Sequence, residues 1–219
     1  MAELDEASGT LTAKLVYYGP ALSGKTTNLM ALHSRLEGQT AGDLMVMDTK
    51  NDRTLFFDLL PLRFRCQRGL TVRLKLFTVP GQVAHDATRK AVLSRADAVV
   101  FVADSQVNQS TNNFESFRNL EENANRVGLD FERLPLVVQY NKRDLKGIVS
   151  EAAVRERWAP TEVPLVFASA LHSRGVAETF RTALATLPRR LEGDLGLESR
   201  WGVTPEILSG GILGEAPVG

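Results

Sequence analysis

The most restrictive feature of this sequence is the apolar run "AVVFVA" at residues 98–103. A strand that is apolar on both faces is typical of a parallel sheet covered on both sides. Other strand-like runs precede and follow it, with amphipathic helical segments between them. Because six predicted strands alternate with about five helices, we predict an α/β fold with a doubly wound, mostly parallel six-stranded sheet flanked by helices.

The length of the chain sets the domain organisation. Its 219 residues suffice for one α/β domain and are too few for two of ordinary size. We expect an N-terminal extension at 1–11, one domain at 12–190 and a Gly-rich C-terminal tail at 191–219. The tail loses helical periodicity, so we expect weak structure there, with apolar side chains such as Leu208 and Ile212 able to dock on the domain.

Composition excludes several classes of protein. Lys and Arg together number 26, as do Asp and Glu, so there is no basic field to attract nucleic acid. The single Cys66 cannot form an internal disulfide. No apolar stretch approaches the ~18–20 residues that span a bilayer, and no lipidation motif is present. We therefore expect a soluble, cytoplasmic protein without a direct membrane anchor.

A phosphate-binding motif lies between the first predicted strand and the helix after it. Gly19, Gly24, Lys25 and Thr26 satisfy G-x-x-x-x-G-K-[ST] in the context that this motif requires. Backbone N–H groups of such a loop surround the β-phosphate, the lysine reaches the β- and γ-oxygens, and the hydroxyl ligates Mg²⁺. The predicted nucleotide contacts in this segment are Gly19, Ala21, Ser23, Gly24, Lys25, Thr26 and Thr27.

The motif "NKRD" follows a later buried strand and predicts a guanine pocket. Asp144 can accept from the N1–H and 2-amino donors of guanine, whereas adenine offers it no donor in those positions. We expect discrimination of ~10³ or more. Asn141 is expected to contact the base edge and Lys142 to lie across the ring. At the end of the next strand, Ser169 and Ala170 are predicted to complete the pocket, where a backbone N–H can reach the guanine oxygen.

The segment "TVPGQ" ends the strand predicted to lie beside the γ-phosphate. We expect the Gly81 N–H to sense that phosphate and the Gln82 amide to orient the attacking water. Many small GTPases have Asp at the first position of this motif, where it holds Mg²⁺ through water. This chain has Thr78, so no carboxylate supports the metal from that position.

These segments together resemble the bacterial Ras-like GTPases of the gliding-motility and cell-polarity type (MglA-like). The resemblance rests on "KLVYYGPALSGKTTNL", "DRTLFFDLLPL", "TVPGQ", "RADAVVFVADSQ" and "NKRDL", which spread over most of residues 12–190. It implies the P-loop small-GTPase fold. It also implies that Arg53 is an arginine finger supplied within the chain, that Thr54 is the switch threonine on Mg²⁺, and that Gln82 positions water.

The resemblance further implies a roadblock-fold activator protein and downstream effectors. Two positions depart from the family pattern: Ala21 replaces a usual glycine, and residues 48–52, "DTKND", are less acidic than usual. The Ala21 methyl group is expected to project towards the space that Gln82 and Arg53 enter, so we expect binding to survive and hydrolysis to be slow.

Three functions remain open at the level of sequence. The first is a GTPase switch that binds GTP or GDP with Mg²⁺ and whose segments 39–57 and 78–95 order around the γ-phosphate. The second is a GTP-loaded binding module that barely hydrolyses because of Ala21. A P-loop kinase of small metabolites explains neither "NKRD" nor "TVPGQ".

Overall fold

The fold is seen in a computed structural model, which describes residues 2–37, 40–48, 56–66, 69–82 and 85–213. The strands are β1 (Glu3–Asp5), β2 (Thr10–Tyr18), β3 (Met45–Asp48), β4 (Phe56–Arg65), β5 (Thr71–Thr78), β6 (Ala98–Asp104), β7 (Leu136–Asn141) and β8 (Leu165–Phe167). The α-helices are α1 (Lys25–Leu36), α2 (Asp86–Leu93), α3 (Ser110–Arg126), α4 (Glu151–Trp158), α5 (Val176–Leu195), α6 (Leu197–Trp201) and α7 (Pro205–Leu213).

One sheet contains all of these strands in the order β3-β4-β5-β2-β6-β7-β8, with β1 paired to the start of β2. The five strands from β5 to β8 in that order are mutually parallel. β3, β4 and β1 pair with their neighbours in the antiparallel sense. The predicted mostly parallel sheet flanked by helices is confirmed, with β1 and β3 as short additions to the six predicted strands. Both escaped the sequence pattern because they have only three and four residues.

Two apolar cores cover the two faces of the sheet. The residues of β2 alternate between them: Leu15 and Tyr17 lie in one core, whereas Val16 and Tyr18 lie in the other. The first core also contains the buried faces of α1, α5 and α7, and the second contains those of α2 and α3. Since every residue of β6 is buried, the apolar run at its centre has the two-sided cover that its sequence predicts.

The C-terminal segment is more ordered than we expected from its sequence. We expected weak structure over 191–219, but α5 continues to Leu195, and residues 197–213 contain two further helices on the first core. Leu208 and Ile212 are buried, and Gly211 lies so close to β4 that an added Cβ would come within 2.9 Å of the Phe64 ring. The "SGG" segment of α7 has poor intrinsic helix propensity, so tertiary packing rather than local preference holds this helix.

Two smaller differences concern the ends of the predicted elements. The expected boundary between residues 11 and 12 falls inside β2, and part of the N-terminal extension pairs with that strand. The expected start of the tail at residue 191 likewise falls inside a helix, because α5 runs from Val176 to Leu195. Among the described residues, no helix is long and apolar enough to cross a membrane.

Candidate nucleotide-binding site

The loop between β2 and α1 has the backbone conformation that its glycines predict. Gly19 has φ of +146°, and a Cβ there would lie 2.3 Å from the Val102 carbonyl oxygen. Gly24 has φ of +98°, and a Cβ there would lie 2.2 Å from Asn141 Nδ2. Glycine at these two positions therefore lets the loop pack against β6 and against the turn after β7.

Lys25 is buried at the start of α1 and faces back into the loop. Its Nζ donates to the carbonyl oxygens of Gly19 at 2.9 Å and Pro20 at 2.7 Å. Burial, together with the nearby Arg89 charge, lowers its pKa from 10.5 to about 7, and Asp58 acts in the opposite direction. An ammonium held only by carbonyl dipoles is incompletely compensated, so an anion at this loop would stabilise the charged form.

Thr26 is hydrogen-bonded to a carboxylate that our sequence reasoning missed. Its hydroxyl donates to Asp58 Oδ2 at 2.5 Å, and the Thr78 hydroxyl donates to the same oxygen at 2.8 Å. Asp58 is buried on β4, where it interrupts an apolar strand, and that interruption was the available signal. The carboxylate missing at position 78 is thus supplied from the neighbouring strand, beside the predicted metal ligand.

Gly81 and Ala21 are in direct contact across the mouth of the site. A Cβ on Gly81 would lie 2.2 Å from Ala21 Cα, 2.4 Å from its nitrogen and 2.9 Å from its Cβ. Gln82 is exposed and lines a cleft of about 660 Å³ together with Lys25 and Thr26. Ser23 is buried in the loop and Thr27 lines the same cleft. The predicted Arg53 and Thr54 lie outside the described residues.

The guanine-pocket residues converge after β7 and β8. Asn141 Nδ2 donates to the Ser23 carbonyl at 2.8 Å, and its Oδ1 accepts from the Ala170 N–H at 2.9 Å. This side chain therefore connects the phosphate loop to the turn after β8. The turn of Ser169 and Ala170 was expected to offer a backbone N–H to the guanine oxygen, and in the structure the Ala170 N–H donates to Asn141. The contacts of these residues with a base stay predictions.

Asp144 and Lys142 are held by partners of their own. The Ser169 hydroxyl donates to Asp144 Oδ1, and this hydrogen bond is the main reason that the pKa of Asp144 lies below its ordinary value. An ionised Asp144 presents only acceptors, as a guanine edge requires. Lys142 Nζ contacts Asp104 Oδ2 at 2.7 Å, a partner at the end of β6 that our sequence reasoning did not identify.

Comparisons with known proteins agree with this arrangement. A model of the Ras family matches residues 44–189. This chain belongs to the Ras family. It is 43% identical over 181 residues to the mutual gliding-motility protein MglA of Myxococcus xanthus (strain DK1622), a match that covers 83% of this chain and 93% of that protein. The predicted resemblance to MglA-like small GTPases is confirmed.

Ras-family membership gives the site its general chemistry. Ras-like GTPases bind GTP and GDP with Mg²⁺ and hydrolyse GTP. In such enzymes the phosphate loop, the metal and a water-positioning side chain act on one γ-phosphate. In this chain the side chains of Lys25, Thr26 and Gln82 line one cleft at the carboxyl edge of the parallel strands.

Proposed function

We propose that this chain is a GTP-dependent molecular switch that hydrolyses GTP slowly on its own and faster with a roadblock-type activator. The observation that carries the proposal is the convergence of Lys25, Thr26 and Gln82 on one cleft, with the turn of Asp144 joined to the same loop through Asn141. By likeness to the gliding-motility relative, the switch regulates motility or cell polarity, acting through downstream effectors.

The residues present fit Mg²⁺, which would be held by Thr26 and Asp58 and, as predicted, Thr54. Hydroxyl and carboxylate oxygens are the donors this cation prefers, and the Thr26 hydroxyl lies beside the Asp58 carboxylate, to which it donates a hydrogen bond. The described residues contain no cluster of three or more His, Cys, Asp or Glu suited to a metal, in keeping with a cation held largely by phosphates and water. When bound, the ion offsets charge on the β- and γ-phosphates.

We assign each of the chain's own residues a role in hydrolysis, and the role of Arg53 rests on the family resemblance alone. Lys25 binds phosphate oxygens, Gly81 donates its N–H to the γ-phosphate, and Gln82 orients the water. Arg53 adds positive charge in the transition state, worth 10³–10⁵ in rate in related enzymes when such an arginine is engaged. Segments 39–57 and 78–95, which we expect to order around the γ-phosphate, exclude bulk water from the nucleotide.

Substitution at Thr26 tests the metal-assisted site. We expect Thr26→Ala to remove most of the Mg²⁺ dependence of GTP affinity, because the variant loses a direct metal ligand. Titrations of labelled GTP with Mg²⁺ and with EDTA measure that dependence. Met30→Ala is the matched control, since Met30 is one turn further along α1 and 55% exposed. Thr26→Ala with an unchanged response to EDTA would rule out the proposed metal site.

The lowered pKa of Lys25 predicts a specific pH dependence of GDP binding. The Lys25 pKa of about 7 rises when a phosphate group pairs with the ammonium, so binding above pH 7 takes up a proton. Affinity should therefore weaken by about 10-fold between pH 7 and pH 8.5. Direct titrations at several pH values measure this, and Lys25→Ala should bind weakly at every pH and lack that slope. A wild-type affinity independent of pH would contradict the assignment.

The contact between Ala21 and Gly81 is consistent with a second candidate function. A GTP-loaded binding module that barely hydrolyses would follow if the Ala21 methyl group keeps Gln82 from its working position. Analysis of the nucleotide in the purified protein separates the two proposals. Mostly bound GDP supports the switch, and mostly bound GTP supports the loaded module.

A further inference from the structure

Arg89 on α2 is a buried cation that the proposed mechanism does not use. Its side chain is 1% exposed, and its guanidinium group points to the loop that follows β5. Nε donates to the Pro80 carbonyl oxygen at 2.8 Å, and Nη2 donates to the Gly81 carbonyl oxygen. Two successive carbonyl groups of the segment that carries Gln82 are therefore held by one planar side chain.

The guanidinium group is itself fixed by two other elements. Its Nη1 donates to Asn119 Oδ1 on α3 at 2.6 Å, and its carbon lies 5.5 Å from the centre of the Tyr18 ring on β2. The Tyr18 hydroxyl donates to the same Asn119 oxygen at 2.6 Å. Burying a charged group is costly, and hydrogen bonds from all three guanidinium nitrogens offset that cost.

We propose that Arg89 is a positioning residue for GTP hydrolysis, which fixes the Pro80–Gly81 backbone so that Gln82 reaches the attacking water, with Asn119 orienting the guanidinium group. This inference rests on the proposed GTPase function. Gly81 touches the phosphate loop at Ala21, so the loop after β5 has little freedom to find another arrangement. Arg89 also lies near enough to the phosphate site to lower the pKa of Lys25.

Lysine cannot replace this arginine. A guanidinium group presents five N–H donors in a rigid plane, whereas an ammonium group is a point charge on a flexible stem. Arg89→Lys keeps the charge but cannot reach Pro80, Gly81 and Asn119 together. We therefore expect a partial loss of hydrolysis rate in Arg89→Lys. The loss should be larger in Arg89→Gln, because a single amide group replaces the guanidinium group.

The test separates hydrolysis from binding. We expect Arg89→Gln to slow single-turnover GTP hydrolysis by about 30-fold and Arg89→Lys by about 5-fold, while GDP and GTP affinities change by less than about 5-fold, within the range that misplaced catalytic groups produce. In the Gln82→Leu background, Arg89→Gln should cause no further loss, because the two residues act in one step. Arg133→Gln is the matched control, because it makes the same replacement at an arginine whose side chain is 88% exposed, and it should hydrolyse GTP like wild type.

A second measurement does not depend on hydrolysis. Hydrogen–deuterium exchange of the peptide that contains Gly81 and Gln82 should accelerate at least about 10-fold in the GDP-bound Arg89→Gln protein and remain unchanged in Arg133→Gln. Unchanged exchange in Arg89→Gln would overturn the inference, as would a hydrolysis loss that adds fully to that of Gln82→Leu. A wild-type protein that hydrolyses no GTP would instead contradict the proposed function and leave the exchange result as the test of Arg89.

Discussion

Replacing Asp144 by Asn is expected to reduce GTP affinity by about 10³-fold and to create affinity for xanthine nucleotides. Wild-type Asp144 is held as a carboxylate by the Ser169 hydroxyl, so both of its oxygens are acceptors for guanine donors. An Asn amide sets an N–H against a guanine N–H, and an unpaired buried donor costs enough to give discrimination of this size. The same N–H can donate to the 2-oxo group of xanthine.

Competition for bound labelled GDP by GTP, XTP and ATP measures this change. Asp130→Asn makes the same chemical replacement at an exposed site before β7 and should leave all three affinities unchanged. The guanine-pocket assignment fails if wild type binds ATP as tightly as GTP. It also fails if Asp144→Asn keeps its GTP affinity within about 3-fold.

Replacing Gly81 by Ala is the second change with a large expected effect. Two of the three Ala21 atoms that the new Cβ would meet, at 2.2 and 2.4 Å, belong to the backbone and cannot rotate away. The loop that carries Gln82 must therefore move by about 1 Å or more, a displacement that can cost ~10²-fold in rate. We expect hydrolysis to fall by that amount, whereas GDP affinity changes by less than about 5-fold because the loop donors to the β-phosphate remain.

Single-turnover hydrolysis of bound GTP measures the loss. Gly128→Ala is the control, because it adds a Cβ into open space after α3, at a φ of +76° that by itself strains an alanine. Ala21→Gly should not rescue Gly81→Ala, since the backbone contacts persist. On its own, Ala21→Gly should accelerate hydrolysis, with the gain lost in Gln82→Leu. A normal rate in Gly81→Ala would show that the contact at Ala21 is unimportant in the GTP-bound protein.

Local patterns in the sequence predicted the parts of the site that lie within one motif. The phosphate loop needs glycine at positions 19 and 24, and "NKRD" comes directly after a buried strand. Spacing and context were therefore sufficient to place both motifs in the fold. The same reasoning predicted the central strands, because an apolar run such as β6 requires cover on both faces.

Contacts between distant segments could not be predicted in this way. Asp58 meets Thr26 and Thr78 only because β4 and β5 pair in one register, and no spacing in the sequence encodes that pairing. The sequence does not distinguish Arg89 from other charged residues, yet it is buried between α3 and the loop after β5. Helix α7 forms through packing on β4 and α5, which outweighs the weak local preference of its glycines.

Single-turnover hydrolysis of GTP by the full chain, with and without a roadblock protein, is the most direct test of the proposed switch. Without activator we expect a rate between ~10⁻⁴ s⁻¹ and ~10⁻² s⁻¹, nearer the lower value because of Ala21. A roadblock activator should raise this rate, Gln82→Leu should abolish the increase, and ATP should not be hydrolysed. GTP that stays intact in both conditions, or ATP hydrolysed as fast as GTP, would contradict the account.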